Sequence, residues 1–87
     1  MRPYSDKKIS NKVIIREFTS DVDNQELMWH RDEEDRLIEP IEETDWMIQF
    51  ENQLPILIKN QIFISKGTWH RAIKGNGNLK IRITKYE

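Results

Sequence analysis

The sequence predicts an all-β protein, a β-sandwich or small barrel, and three observations carry this prediction. Hydrophobic residues make up 37% of the 87 residues and fall in short runs, many of which alternate with polar residues at the period of two expected for half-buried strands. No stretch has the apolar spacing of an amphipathic helix. Turn-forming residues separate the runs at intervals of about ten residues or less, which is typical of sandwiches and barrels.

Seven to nine strands are expected, and the segments that predict them combine alternation with β-branched or aromatic side chains. In order, these segments are 12–18, 26–30, 36–41, 46–50, 54–59, 61–65, 68–74 and 79–84. The last alternates strictly, as Leu-Lys-Ile-Arg-Ile-Thr. Pro40 lacks an N–H, so the weak third strand should be irregular or lie at a sheet edge. The sequence Gly-Asn-Gly-Asn at 75–78 is the clearest turn.

Length and composition predict a single domain over residues 1–87. A chain without cysteine has neither disulfides nor a thiolate metal site. Its apolar runs are far shorter than the roughly 20 residues of a membrane helix, and residues 1–6 lack the apolar core of a signal peptide. We therefore expect a cytoplasmic protein with no membrane partner.

The net charge of −1 hides an uneven distribution of charged residues. Residues 21–58 carry twelve acidic and two basic side chains, whereas residues 59–87 carry seven basic and one acidic. A basic end can indicate nucleic-acid or membrane binding. Here the basic residues alternate with apolar ones, which favours antiparallel strands with opposite charges facing each other. Nucleic-acid binding is therefore disfavoured.

Both histidines lie on predicted strands. Because side chains alternate along a strand, His30 and Asp32 point to the same face. If the strand of His70 is their neighbour, the three side chains converge. Two imidazoles and one carboxylate leave open positions on a divalent metal, as in non-haem iron enzymes. The alternative is that each histidine is an ordinary structural or surface residue.

Residues 62–71 read Ile-Phe-Ile-Ser-Lys-Gly-Thr-Trp-His-Arg, an apolar strand followed by Gly-x-x-His. This segment resembles the second motif of the cupins, Pro-x-Gly-x-x-His. It matches at Gly67 and His70 and has Ser65 in place of the proline. Over residues 26–74 the chain is similar to a small single-domain cupin.

The first cupin motif is His-x-His followed, three or four residues later, by Glu. The chain matches it at His30, has Asp32 for the second histidine, and has Arg36 where the glutamate would stand. The run 29–36, with Gln49 downstream, is also similar to uncharacterised small cupins of marine bacteria and their phages.

The resemblance implies a double-stranded β-helix, the cupin-type jelly roll, with the motif residues at the barrel mouth. His30, Asp32 and His70 would hold a divalent metal (Fe, Mn, Ni or Zn), although Arg36 removes one ligand and adds a cation, so the metal can also be absent. Arg36 and Gln49 are candidates for binding a small anionic ligand. Alternatively, Arg36 pairs with Asp32 or another carboxylate, and Gln49 lies on the surface.

Two functions follow from the resemblance. The first is a metal-dependent enzyme acting on a small anionic molecule, with dioxygenase, isomerase and lyase chemistry all open. The alternative is a metal-free ligand-binding or structural module. A homodimer is expected because cupins typically form dimers. Trp29 and Trp69 either pack within the subunit or lie at the dimer interface.

Overall fold

Eight strands and one short 3₁₀ turn make up the regular structure of the computed structural model, which describes residues 3–86. The strands are β1 Ser5–Lys8, β2 Val13–Phe18, β3 Asp35–Pro40, β4 Met47–Phe50, β5 Ile56–Leu57, β6 Ile62–Ile64, β7 His70–Ile73 and β8 Leu79–Tyr86. The all-β prediction is confirmed. Within the described residues, no helix is long and apolar enough to cross a membrane.

The strands form two antiparallel sheets. One sheet has five strands in the order β1-β2-β8-β3-β6, and the other has three in the order β5-β4-β7. The chain therefore passes from one sheet to the other after β3, β5, β6 and β7. This repeated crossing rolls the two sheets around one apolar interior.

The alternation of side chains decides which face of each strand forms the core. On β8, Leu79, Ile81 and Ile83 are buried, while the residues between them are more exposed. Trp46 is completely buried, and its indole Nε1 donates to the Gly77 carbonyl at 3.1 Å. Buried side chains from both sheets join these four in one cluster: Ile14, Phe18, Val22, Leu27, Ile38, Ile48, Ile58 and Ile64.

Two cross-strand pairs of opposite charge lie in the five-stranded sheet, and one of them joins the acidic middle to the basic end of the chain, as the charge distribution predicted. Glu39 of β3 lies opposite Arg82 of β8, and Glu17 of β2 lies opposite Lys80 of the same strand. Such cross-strand pairs support the register of an antiparallel sheet. That nucleic acid is not a partner stays a prediction.

Two predictions of local structure were wrong. Segment 26–30 is not a strand, because Asp23 and Glu26 form a capping box that starts a 3₁₀ turn at Asn24–Glu26. Strand β3 is neither irregular nor at an edge, since it pairs with β8 without a break over residues 35–40 and lies between β8 and β6. Pro40 is tolerated there because it is the last residue of β3, and β6 pairs only with residues 36–38.

Strand β1 was not predicted, because Ser-Asp-Lys-Lys carries no apolar signal. Its four residues are exposed. It forms by backbone pairing with β2, in a register that places Asp6 opposite Arg16. Arg16 also lines a cavity beside His30 and Asp32.

Candidate metal centre

The tripeptide Trp-His-Arg occurs twice, at 29–31 and at 69–71, and the two copies pair with each other. His30 N donates to His70 O at 3.0 Å, and His70 N donates to His30 O at 2.9 Å. This antiparallel bridge puts both imidazoles on one face, with ring centroids 4.3 Å apart. Two histidines forty positions apart are thus held side by side by the backbone.

The turn before the second tripeptide explains the motif glycine. Gly67 has a φ of +78°, a conformation that residues with a Cβ rarely adopt. Its N–H donates to the Asp32 carbonyl at 2.9 Å. The Gly-x-x-His spacing therefore ties the loop of Asp32 to the start of β7.

The other face of the bridge carries the tryptophans and arginines, because neighbouring residues in extended chain point to opposite sides. The Arg71 guanidinium lies 4.8 Å from the Trp29 ring centroid, and that of Arg31 lies 5.3 Å from the Trp69 centroid. Both tryptophans therefore make cation–π contacts within the subunit. They remain 39% and 38% exposed, and their role in a dimer stays a prediction.

His30, Asp32 and His70 converge on the inner face. One potential ligand atom from each lies within 4.8 Å of the other two. His70 Nε2 is 3.4 Å from one carboxylate oxygen of Asp32, and His30 Nε2 is 4.0 Å from the other. His70 is buried, whereas half of the His30 side chain is exposed. The cluster thus lies at the mouth of the rolled sheets.

Both imidazoles present Nε2 to the cluster, because their other nitrogens are engaged by the backbone. His30 Nδ1 bonds the Met28 carbonyl at 3.0 Å, and His70 Nδ1 bonds the Thr68 carbonyl at 2.8 Å. A carbonyl only accepts, so we assign the proton of each neutral ring to Nδ1. Burial lowers the pKa of His70, and the neighbouring His30 also lowers it, outweighing the Thr68 carbonyl and the Asp32 carboxylate, which raise it. The neutral form of His70, which ligates metals, is therefore favoured.

A buried oxygen in this cluster has no hydrogen-bond partner among the described residues. It is Asp32 Oδ2, on a side chain only 9% exposed. It lies 3.4 Å from His70 Nε2, which is an acceptor when the neutral ring carries its proton on Nδ1. Two acceptors facing each other in a buried place are unfavourable without a cation. The donor set of two imidazoles and one carboxylate therefore fits a divalent metal.

Arg36 points inward beside this cluster and pairs with two carboxylates. Its Nη1 is 3.4 Å from Asp32 Oδ1, and its Nε donates to Glu34 Oε2 at 3.1 Å. Burial acts to raise the pKa of Glu34, but the hydrogen bond and charge of Arg36 outweigh it, so the pKa is lowered. Of the alternatives for Arg36, internal pairing is thus observed, although the side chain still lines the cavity.

The prediction that Gln49 faces the cavity was wrong. Its Oε1 accepts from Arg71 Nε at 3.0 Å, and its Nε2 donates to the Gln53 carbonyl at 2.9 Å. Trp46 and Ile48 take the inward positions of this segment, because burying large apolar side chains stabilises the fold more than burying an amide. Gln49 instead holds Arg71 on the outer face.

Two cavities that share lining residues adjoin the cluster. A narrow one of about 60 Å³ runs into the core beneath His30, Asp32 and His70. A larger one of about 360 Å³ opens beside them, at the lower end of the range for small-molecule sites. Arg16 lines both spaces, but it was not among the predicted site residues. The available signal was a cation in the inward row of β2, between Ile14 and Phe18.

Comparison with solved structures finds the same architecture in other proteins. An RmlC-like cupin family protein with a double-stranded β-helix fold from Methanocaldococcus jannaschii superposes with a TM-score of 0.66 at 16% identity, over 98% of this chain and 81% of that one. A cupin-2 domain containing protein from Shewanella frigidimarina gives 0.61 at 21% identity, over 91% and 76%.

An enzyme crystallised with iron(II), HppE, gives a TM-score of 0.64 at 12% identity, over 85% of this chain. The chain spans only 41% of the length of HppE. No protein-family model matches the chain, and the search of curated proteins found no match. Likeness to small cupins of marine bacteria and phages stays a prediction.

Proposed function

Since the chain has the fold of a small cupin, the double-stranded β-helix, we propose that it is a metal-dependent cupin. His30, Asp32 and His70 hold one divalent metal at the barrel mouth, and the centre acts on a small anionic organic molecule in the adjoining cavity. The observation that carries this proposal is the carboxylate of Asp32 between two imidazoles, with its buried, unpartnered Oδ2 facing His70 Nε2 and its Oδ1 4.0 Å from His30 Nε2.

The metal best supported by this donor set is iron(II), with manganese, nickel and zinc as the alternatives. A metal in this position supplies a Lewis acid and, if it is iron, a redox centre. The fold is shared with HppE, an enzyme crystallised with iron(II), but a fold does not set the reaction. Dioxygenase, isomerase and lyase chemistry all stay open.

Arg36 has two tasks in this proposal. By engaging Asp32 Oδ1, it leaves Oδ2 directed at His70 Nε2. Its charge is offset by Asp32 and Glu34, so repulsion between the guanidinium and a divalent metal is reduced. At the same time the side chain lines the larger cavity, where it can meet an anionic ligand.

A metal-free ligand-binding module is the second candidate, and one observation favours it. Arg36 stands where the cupin motif has a glutamate ligand, so the site has three protein ligands and a fixed cation beside them. In this alternative the cavity binds an anion without a metal. A homodimer formed through the surface around Trp29 and Trp69, and a cytoplasmic location, stay predictions in both cases.

Metal analysis separates the two candidates. The untagged protein is purified, incubated with Fe(II), Mn(II), Ni(II) or Zn(II) without oxygen, desalted and measured by mass spectrometry for bound metal. We expect one metal per chain in the wild type and none in His70→Ala. Glu43→Gln, which removes an exposed carboxylate outside the site, is the matched control and should bind like the wild type. Absence of metal from the wild type would favour the metal-free module.

A further inference from the structure

Arg16 is a cation placed in an apolar row. Strand β2 directs Ile14 and Phe18 into the core, and Arg16 lies between them on the same face. Its side chain is only 12% exposed. An arginine in such a position needs an anionic partner, because burying its charge alone is costly.

The observed partner is a carboxylate supplied by the neighbouring edge strand. Asp6 of β1 accepts from Arg16 Nε at 2.8 Å and from Nη2 at 3.0 Å, a two-pronged contact. The ring of Tyr4 covers the guanidinium, with its centroid 3.7 Å from Cζ. The two N–H groups of Arg16 that form this fork therefore already bind a planar carboxylate in a bidentate contact, the geometry in which arginine recognises carboxylates most selectively.

This fork lines the same cavity as the candidate metal centre. The larger cavity is lined by polar side chains, among them Arg16, Asp32 and Arg36, and by apolar ones, among them Leu27 and Met28. A molecule with a carboxylate at one end and an apolar body therefore matches both kinds of lining. Its volume of about 360 Å³ limits the molecule to a small one.

We propose that Arg16 is the anion receptor of this cavity, that its ligand is a small monocarboxylic acid with an apolar body, and that the carboxylate of Asp6 competes with it for Arg16. The proposal deepens the proposed function and rests on it for the use of the cavity. Arg36 is already paired with Asp32 and Glu34, so it contributes positive charge to the cavity but not the bidentate contact to the ligand.

The charge of the surroundings favours a monoanion over a phosphate group. Glu26 and Asp32 line the cavity together with the two arginines, and Asp6 and Glu34 each neutralise one arginine. A dianion would meet more repulsion from these carboxylates than a carboxylate would. The residues of edge strand β1 are exposed, and none of them belongs to the buried core cluster.

The test is calorimetric titration of chelator-treated full-length protein with hexanoate, with hexanol as the uncharged match and inorganic phosphate as the dianion. We expect hexanoate to bind and the other two not. Asp6→Asn should bind hexanoate roughly tenfold more tightly, since it removes a competing charge-assisted contact. Arg16→Lys should lose binding, because lysine keeps the charge without the fork.

Glu17→Gln removes a carboxylate from the opposite face of β2 and should leave hexanoate affinity unchanged. Gain of affinity in Asp6→Asn does not depend on whether Arg16→Lys folds, which circular dichroism checks. Unaltered affinity in Asp6→Asn, or phosphate binding more tightly than hexanoate, overturns the proposal. Because the titrations exclude metal, this outcome is independent of the metal analysis above.

Discussion

Replacing Asp32 by asparagine separates a metal ligand from a structural residue. The two side chains have the same shape, but asparagine carries no charge and its amide nitrogen donates. In the present structure Asp32 Oδ2 is buried and faces His70 Nε2 at 3.4 Å. Both atoms are acceptors when His70 is neutral. In Asp32→Asn the amide can donate to that nitrogen, so we expect the metal-free protein to tolerate the change.

The magnitude follows from two opposing effects. Relieving one buried, unmet polar group gains about 1–3 kcal/mol. The contact to Arg36 at 3.4 Å loses its charge assistance but keeps an acceptor, because the asparagine oxygen can still accept and Arg36 keeps Glu34 as a second partner; this costs about 1 kcal/mol. We therefore expect a net stabilisation of about 1 kcal/mol, which raises Tm by about 4–8 °C in a domain of this size.

Adding metal should reverse the order of stability, so that the wild type becomes more stable than Asp32→Asn. A metal at one hundred times its Kd stabilises the wild type by about 2.7 kcal/mol, or roughly 10–20 °C in Tm. Asp32→Asn loses one of three ligands and its charge, so the same metal concentration should leave its Tm almost unchanged. A residue that only supports the fold would not give this reversal.

The assay is thermal unfolding followed by circular dichroism at pH 8, well above the lowered pKa of His70, with chelator and then with Fe(II) or Zn(II). Glu43→Gln, an exposed substitution, should follow the wild type in both conditions. A Tm for metal-free Asp32→Asn that lies 10 °C or more below the wild type (roughly 1–3 kcal/mol) would refute the reasoning. So would an equal rise in Tm for both proteins when metal is added.

Three further predictions concern stability. Burial holds the pKa of His70 below its usual 6.5, so as the pH falls the unfolded chain takes up this proton before the folded protein does. The metal-free protein should therefore lose stability as the pH falls below about 6.5. His70→Gln should flatten this part of a plot of Tm against pH, and an equally steep curve in the variant would contradict the prediction. Gly75→Ala should lower the free energy of unfolding by about 1–3 kcal/mol, because a Cβ would lie 2.8 Å from the backbone of Asp45 and Trp46. Urea denaturation measures this loss. An unchanged midpoint of the urea transition would show that the turn can shift to make room for the methyl group. Trp46→Phe should lower the free energy of unfolding by about 1–3 kcal/mol, since it leaves a void and removes the hydrogen bond to the Gly77 carbonyl. The same urea assay tests this. A loss below about 0.5 kcal/mol, the effect of a surface change, would mean that the core closes around the smaller ring.

The sequence by itself determined the class of fold and most of the strands. Strict alternation in 79–84 fixes both the strand β8 and the set of side chains that share its core face, because the period of two is a local property of the extended chain. The same property places His30 and Asp32 on one side. Local signals can also mislead: the apolar residues of segment 26–30 predicted a strand, whereas the capping box of Asp23 and Glu26 starts a 3₁₀ turn there.

Only the tertiary structure decided which of two faces is inside and which distant segments meet. Alternation separates Gln49 from Trp46 and Ile48, but the packing of the second sheet sends the apolar pair inward. The bridge between His30 and His70 joins residues forty positions apart, and no local pattern contains that distance. The fork of Arg16 depends on the exposed edge strand of Asp6, which forms by backbone pairing without any apolar signal. Periodicity records the geometry of one strand, whereas the candidate site is made by the contacts between strands.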